Sequence, residues 1–124
     1  MSHGAQSVER LDAPFAAAIA QTMQALATPS RVRILARLRA GGATVGELAH
    51  AVDMEPSAVS HQLRLLRHLG FVTGQREGRH VVYDLHDDHV AHLIDEALSH
   101  VEHLRLGLAG RAKSRTRDRA KATA

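Results

Sequence analysis

The chain has 124 residues, with 16 Lys and Arg against 13 Asp and Glu and a formal net charge of +3, a length that suits one small domain. It contains no cysteine, which excludes disulfides, thiolate metal sites and thiol nucleophiles together. No stretch approaches the roughly 20 apolar residues of a membrane span, and the polar N-terminus does not resemble a signal peptide, so a cytoplasmic location and no membrane partner are expected.

Only Phe15, Phe71 and Tyr83 are aromatic, so the core must come from Leu, Ile, Val and Ala, which favours helices. Residues 1–11 read as a flexible arm. Asp12 then has the character of an N-cap, with Pro14 in the first turn. Phe15, Ile19, Met23 and Leu26 follow at helical spacing, which predicts a helix to about Ala27. Thr28-Pro29 breaks that helix and caps the next, which runs to about Arg39 with Val32, Leu35 and Leu38 inward. Gly41-Gly42 ends it.

Thr44-x-x-Glu47 is a capping box opening a third helix through Val52, with Val45, Leu48, Ala49 and Val52 as its apolar residues. After the short turn Asp53-Met54-Glu55, Pro56 takes the first position of a fourth helix. That helix carries Val59, Leu63, Leu66 and Leu69, and Gly70 terminates it. Two short helices joined by a tight turn form a helix-turn-helix. The first turns of the fourth helix combine small residues with hydrogen-bonding ones. Small side chains let a helix approach the floor of the DNA major groove, while Ser57, Ser60, His61, Gln62 and Arg64 can reach base edges or phosphates.

Phe71 to Arg76 and Arg79 to Leu85 are β-type runs around Glu77-Gly78, a hairpin with basic residues at its tip. Arg76 and Arg79, together with His80, are placed to grip backbone phosphate. A last helix is expected from about Asp88 to Ala109. Its apolar residues Val90, Ile94, Ala97, Val101, Leu104 and Leu108 are spaced 4-3-4-3-4, a narrow seam suited to pairing with another helix. Intramolecular packing would show the same spacing; the seam between two chains is the favoured reading. Residues 111–124 hold six cations against Asp118, so the rest of the chain carries a net −2 and the positive balance comes from this segment. It reads as a disordered basic tail that either adds nonspecific attraction to DNA or only solubilises. The expected organisation is an arm (1–11), a winged-helix DNA-binding and dimerisation domain (12–109) and a basic disordered tail (110–124).

The spacing Asp87-x-His89, then His100-x-x-His103, carries metal chemistry. Carboxylate and imidazole suit zinc, nickel and cobalt. Eleven residues separate His89 from His100, a rise of about 16 Å along a helix, so one helix cannot bring both to one ion. Eleven residues are also close to three whole turns, so the two side chains leave nearly the same face. An antiparallel second copy would set His100 and His103 of one chain beside Asp87 and His89 of the other. The motif therefore predicts a homodimer with two symmetric intersubunit sites. His86 and His92 border the motif and read as solvated.

Three segments together, Ala27-Thr-Pro-Ser-Arg-Val-Arg-Ile-Leu35, Ser57-Ala-Val-Ser-His-Gln-Leu-Arg64 and Arg79-x-Val-x-Tyr-x-Leu85, closely resemble the ArsR/SmtB family of metal-responsive repressors, over roughly residues 13 to 108. The resemblance implies a mainly α fold with a small β-hairpin, a winged helix-turn-helix homodimer that binds operator double-stranded DNA and represses a metal efflux or resistance operon until metal lowers its affinity. It makes Asp87, His89, His100 and His103 the metal ligands, and it implies that His100 could link to the backbone near Gly70. Within the family the likeness is to nickel/cobalt sensors, which begin with a short arm carrying a histidine, here His3.

Four ligands suit tetrahedral zinc, whereas nickel and cobalt prefer more nitrogen and oxygen donors, often six. His3 reads from the residues alone as solvated; the resemblance makes it a candidate ligand, with the N-terminal amine of Ser2 beside it once Met1 is removed. Residues 3 to 12 span about 30 Å when extended, enough to reach. One departure is Arg105, which stands where the nickel/cobalt sensors carry a further histidine, so zinc stays as the alternative to Ni(II) or Co(II). A winged-helix regulator that senses no metal is the other alternative. A metalloenzyme is disfavoured, since no partnered nucleophile is visible in so small a domain.

Overall fold

The computed structural model describes residues 11–123, without the side chains of residues 112–114 and 118–123. Ser2 and His3 therefore lie outside the described residues. Five helices and one hairpin occur among the described residues: α1 (Ala13–Ala25), α2 (Pro29–Arg39), α3 (Val45–Val52), α4 (Pro56–His68), β1 (Val72–Glu77), β2 (His80–Leu85) and α5 (Asp88–Thr123). The architecture is mainly helical with a two-stranded sheet, as expected. The chain divides after Asp88 into two compact units.

In the first unit the helix starts lie where side chains can cap them. The Asp12 carboxylate accepts from the Phe15 N–H at 2.9 Å, and the Thr28 hydroxyl accepts from the Arg31 N–H at 3.4 Å. Thr44 and Glu47 form a complete capping box. The Glu47 N–H donates to Thr44 Oγ1 at 3.2 Å, and the Thr44 N–H donates to Glu47 Oε1 at 3.1 Å. Each such cap satisfies N–H groups that the first helical turn leaves without intrahelical partners. Glu55, before α4, makes no side-chain cap bond.

The core lies among α2, α3, α4 and the hairpin, which pack on one another. Ile34, Leu35 and Leu38 of α2, Leu48, Ala49 and Val52 of α3, and Val59, Leu63 and Leu66 of α4 are buried together with Phe71 and Val72. Ile34 takes the inward place expected of Val32, which is half-buried. The α2 stripe is thus rotated by about 50°, and Leu35 and Leu38 stay in it. Val45 and Leu69 are likewise half-buried at the margins.

The hairpin is antiparallel, with register from Val72↔Leu85 to Glu77↔His80. Its connection is Gly78-Arg79, one residue later than the expected Glu77-Gly78. Gly78 holds φ at 62°, a conformation that glycine adopts without a Cβ penalty, and this sets Arg79 at the tip. The wing is tied back to the helices through Ala43, which forms an antiparallel bridge with Tyr83. The preceding Gly42 lies so close to β2 that a Cβ there would sit 2.7 Å from Asp84 Oδ1.

α1 ends at Ala25 rather than Ala27, and its apolar stripe is largely uncovered: Phe15 and Met23 are exposed, Ile19 and Leu26 half-buried. In the second unit, α5 has 36 residues, a length of about 54 Å. It runs past the expected end at Ala109, through the segment read as a disordered tail. Ala, Lys and Arg dominate there, and all three are strong helix formers. Val90 and Ile94 are buried, whereas Leu98, Val101, Leu104 and Leu108 are between 47% and 60% exposed.

Candidate DNA-reading surface and metal ligands

α4 is amphipathic, with a packed face and an exposed face on opposite sides. At about 100° per residue, the buried Val59, Leu63 and Leu66 form one stripe. Ser57, His61, Arg64 and His68 form another, roughly opposite it, and all four are exposed. Pro56 and Ala58 beside them are exposed and short. The N-terminal half of α4 therefore offers a hydroxyl, an imidazole and a guanidinium on a face of low relief. Ser60 stands at the margin of this face, half-buried.

Gln62 departs from the expected group. It lies roughly 130° round the helix from the exposed stripe, and its Oε1 accepts from Arg31 Nε at 2.9 Å. Arg31 was not singled out from sequence. Its place in Thr28-Pro29-Ser30-Arg31 signalled a helix start, not a partner 31 residues away.

On the wing, Arg76, Arg79 and His80 are exposed. Arg79 occupies the turn, and Arg76 pairs with Val81 across the ladder. A small open cleft of 330 Å³ lies between the start of α3 and the wing, lined by residues that include Thr44, Gly46, Arg79, His80 and Tyr83. The Glu47 carboxyl at the same helix start is held below its ordinary value. The Thr44 backbone N–H is the main cause and the Thr44 hydroxyl the next, with smaller help from the Arg37 and His80 charges.

Asp87 is exposed immediately before α5, and His89 is exposed in its first turn. His100 and His103 are exposed one turn apart, further along the same unbroken helix. The two pairs therefore occupy separate stations, with His89 and His100 about 16 Å apart along α5. Among the described residues, no group of three or more His, Asp and Glu comes together as a metal site. His86, His92 and Glu96 are exposed near the first station.

Comparison with known proteins bears on the family of this chain. A family described as bacterial regulatory proteins of the arsR family matches residues 28–73, which run from the cap of α2 into β1. The HTH-type transcriptional regulator NmtR of Mycobacterium tuberculosis (strain H37Rv) is 56% identical over 118 residues, covering 92% of this chain and 98% of that protein. The HTH-type transcriptional repressor SmtB of the same strain is 40% identical over 83 residues, 67% of this chain and 62% of that one. Among solved structures, the solution structure of apo-NmtR matches with a TM-score of 0.67 and 60% identity, over 75% of this chain and 78% of that chain. A winged helix-turn-helix DNA-binding domain from Mycobacterium bovis, described as homodimeric, matches with a TM-score of 0.68 and 29% identity, over 73% and 83%. With its helix-turn-helix and wing in place, and more than half of its residues shared with NmtR along nearly the whole of both chains, this chain belongs to the arsR family of bacterial regulatory proteins, which are transcriptional regulators and not enzymes.

Proposed function

We propose that the chain is a metal-sensing transcriptional repressor that binds operator DNA in the cytoplasm as a metal-free homodimer and is released by Ni(II) or Co(II), derepressing genes of metal efflux or resistance. The observation that carries this reading is the unbroken α5. Asp87, just before it, and His89 form one station and His100 and His103 another, too far apart for one ion, with Val101, Leu104 and Leu108 left exposed beside them. An antiparallel second copy of α5 would cover that apolar seam and pair each station with its complement.

The donor set fits the metals named. It has one carboxylate and three imidazoles per chain and no thiolate, which suits borderline cations. Ser2, through its amine, and His3 would extend the four ligands toward the higher coordination that nickel and cobalt favour. The name and high identity of NmtR support this assignment. Zinc is the second reading, favoured by the four-ligand set alone and by Arg105 in place of a further histidine.

On the DNA side, Ser57, Ser60, His61 and Arg64 of α4 would serve the major groove, and Arg76 and Arg79 would neutralise phosphate. When bound, the cation supplies a crosslink between the two copies of α5. Release requires that this state favour a separation of the two α4 helices that does not match successive major grooves, because a ligand with equal affinity for both states shifts nothing. The test is titration of a fluorescent operator complex with Ni(II), Co(II) and Zn(II), using the full chain and a form lacking residues 1–4. Nickel and cobalt should release DNA at lower concentration than zinc, and removal of the arm should weaken the first two only. Equal potency of all three in both forms would remove the arm-assisted site, and release by none would leave a regulator that senses something else.

A further inference from the structure

Arg31 sits half-buried in the first turn of α2 and reaches two other helices, α1 and α4. Its Nε donates to Gln62 Oε1 of α4 at 2.9 Å, and its Nη1 donates to the Gln24 carbonyl of α1 at 3.4 Å. Gln24 belongs to the last turn of α1, and its carbonyl, which also accepts from the Ala27 N–H at 3.0 Å, carries the partial negative charge of a helix C-terminus, so a guanidinium is favoured there. Packing does not close this place. An open cleft of 410 Å³ is lined by residues of the three helices, among them Gln24, Thr28, Arg31, Leu65 and Leu69. The start of α4 is also not fixed by its own cap, since Glu55 makes no side-chain bond while Asp12, Thr28 and Thr44 each cap their helices. The rotation of α4 is therefore held on this flank by a polar link in place of dense apolar contact. A hydrogen bond from a cation is about twice as strong as a neutral one.

We propose that Arg31 is a positioning residue for DNA reading: by holding Gln62 it sets the rotation of α4, and so the presentation of Ser57, His61 and Arg64, without touching DNA itself. Gln62 is then a strut, in keeping with its half-buried position away from the exposed stripe. The proposal rests on the repressor reading above.

The experiment uses the full chain and two probes: a duplex enriched by the wild-type protein from a random-sequence pool, and a scrambled duplex of equal length. Arg31→Met and Gln62→Met should each weaken binding to the enriched duplex about tenfold, and the double variant should be no weaker than either single, because the two residues act as one link. Affinity for the scrambled duplex, and its salt dependence, should stay as in the wild type. If Arg31→Met does not fold, Arg31→Lys carries the same test, since lysine keeps the charge and loses the planar fork. Additive losses would overturn the proposal. So would a fall in scrambled-duplex affinity with Arg31→Met, which would place Arg31 on phosphate, or a changed base preference with Gln62→Met alone. Unchanged binding by the Arg31 variants to an enriched duplex would defeat the inference and leave the repressor reading standing. A wild-type chain that enriches no duplex would remove both.

Discussion

Ala43 and Tyr83 exchange both of their backbone hydrogen bonds, at 2.9 and 2.8 Å, although they are 40 positions apart in sequence with three structural elements between them. The bridge fastens the loop before α3 to the middle of β2 and so ties the wing to the helix-turn-helix. Ala43→Pro removes the N–H that donates to Tyr83, at a residue only 1% exposed. We expect a loss of about 2–3 kcal/mol, read by urea denaturation. A change within about 0.5 kcal/mol, the range of an ordinary surface substitution, would show that the bridge does not hold the wing.

The exposed part of the α5 seam gives a different expectation. Val101 and Leu104 are 48% and 49% exposed, so charges there should leave the core of α2, α3 and α4 intact. Val101→Glu combined with Leu104→Glu should convert a dimer to a monomer in sedimentation equilibrium while the far-ultraviolet circular dichroism stays helical. A double variant that remains dimeric would place the dimer contact elsewhere.

Acid should act on the capping box. The folded Glu47 carboxyl sits below its ordinary value of 4.5 because it accepts from Thr44. A carboxylate depressed on folding contributes stability that is present above the unfolded value and is lost as pH falls through the folded one. The thermal midpoint of the wild type should therefore drop more steeply below about pH 4.5 than that of Glu47→Gln, which keeps an acceptor oxygen and cannot titrate. Parallel curves for the two proteins in that window would count against the box as a source of acid sensitivity.

The wing arginines should act through charge and not through sequence. Arg76→Gln and Arg79→Gln should lower affinity alike for enriched and scrambled duplexes. They should also reduce the slope of log affinity against log salt by about 0.9 for each phosphate contact removed. A loss confined to the enriched duplex would move these residues from phosphate to bases.

Much of this molecule is legible in its sequence because its signals are local. Asp12, Thr28 and the Thr44–Glu47 pair announce helix starts through hydrogen bonds made within three residues, and Leu63 and Leu66 announce a buried face through spacing. Finer features depend on neighbours that spacing does not name. The turn moved by one residue because the positive φ belongs to Gly78, which places Arg79 and not Glu77 in the connection. Phe15 and Met23 kept their helical spacing yet stay exposed, since a stripe says that a face is apolar, not what covers it. The run from Arg111 to Lys121 read as disorder by charge, but its Ala, Lys and Arg are helix formers and α5 continues through it. Arg31 and Gln62 meet across two helices, a contact no local pattern encodes. For the metal ligands, the sequence spacing and the helix agree on one point, that Asp87 and His89 stand far from His100 and His103 along α5.

If two chains share each metal site, mixing two damaged proteins should restore it. Asp87→Ala with His89→Ala destroys one station, and His100→Ala with His103→Ala destroys the other. Neither variant alone should bind Ni(II) or Co(II) tightly. After the two are unfolded and refolded together, each mixed dimer should regain one intact site, seen as cobalt d–d absorption that both parents lack. Absorption in either parent, or none in the mixture once mixed dimers are demonstrated, would contradict a site built from Asp87 and His89 of one chain and His100 and His103 of the other.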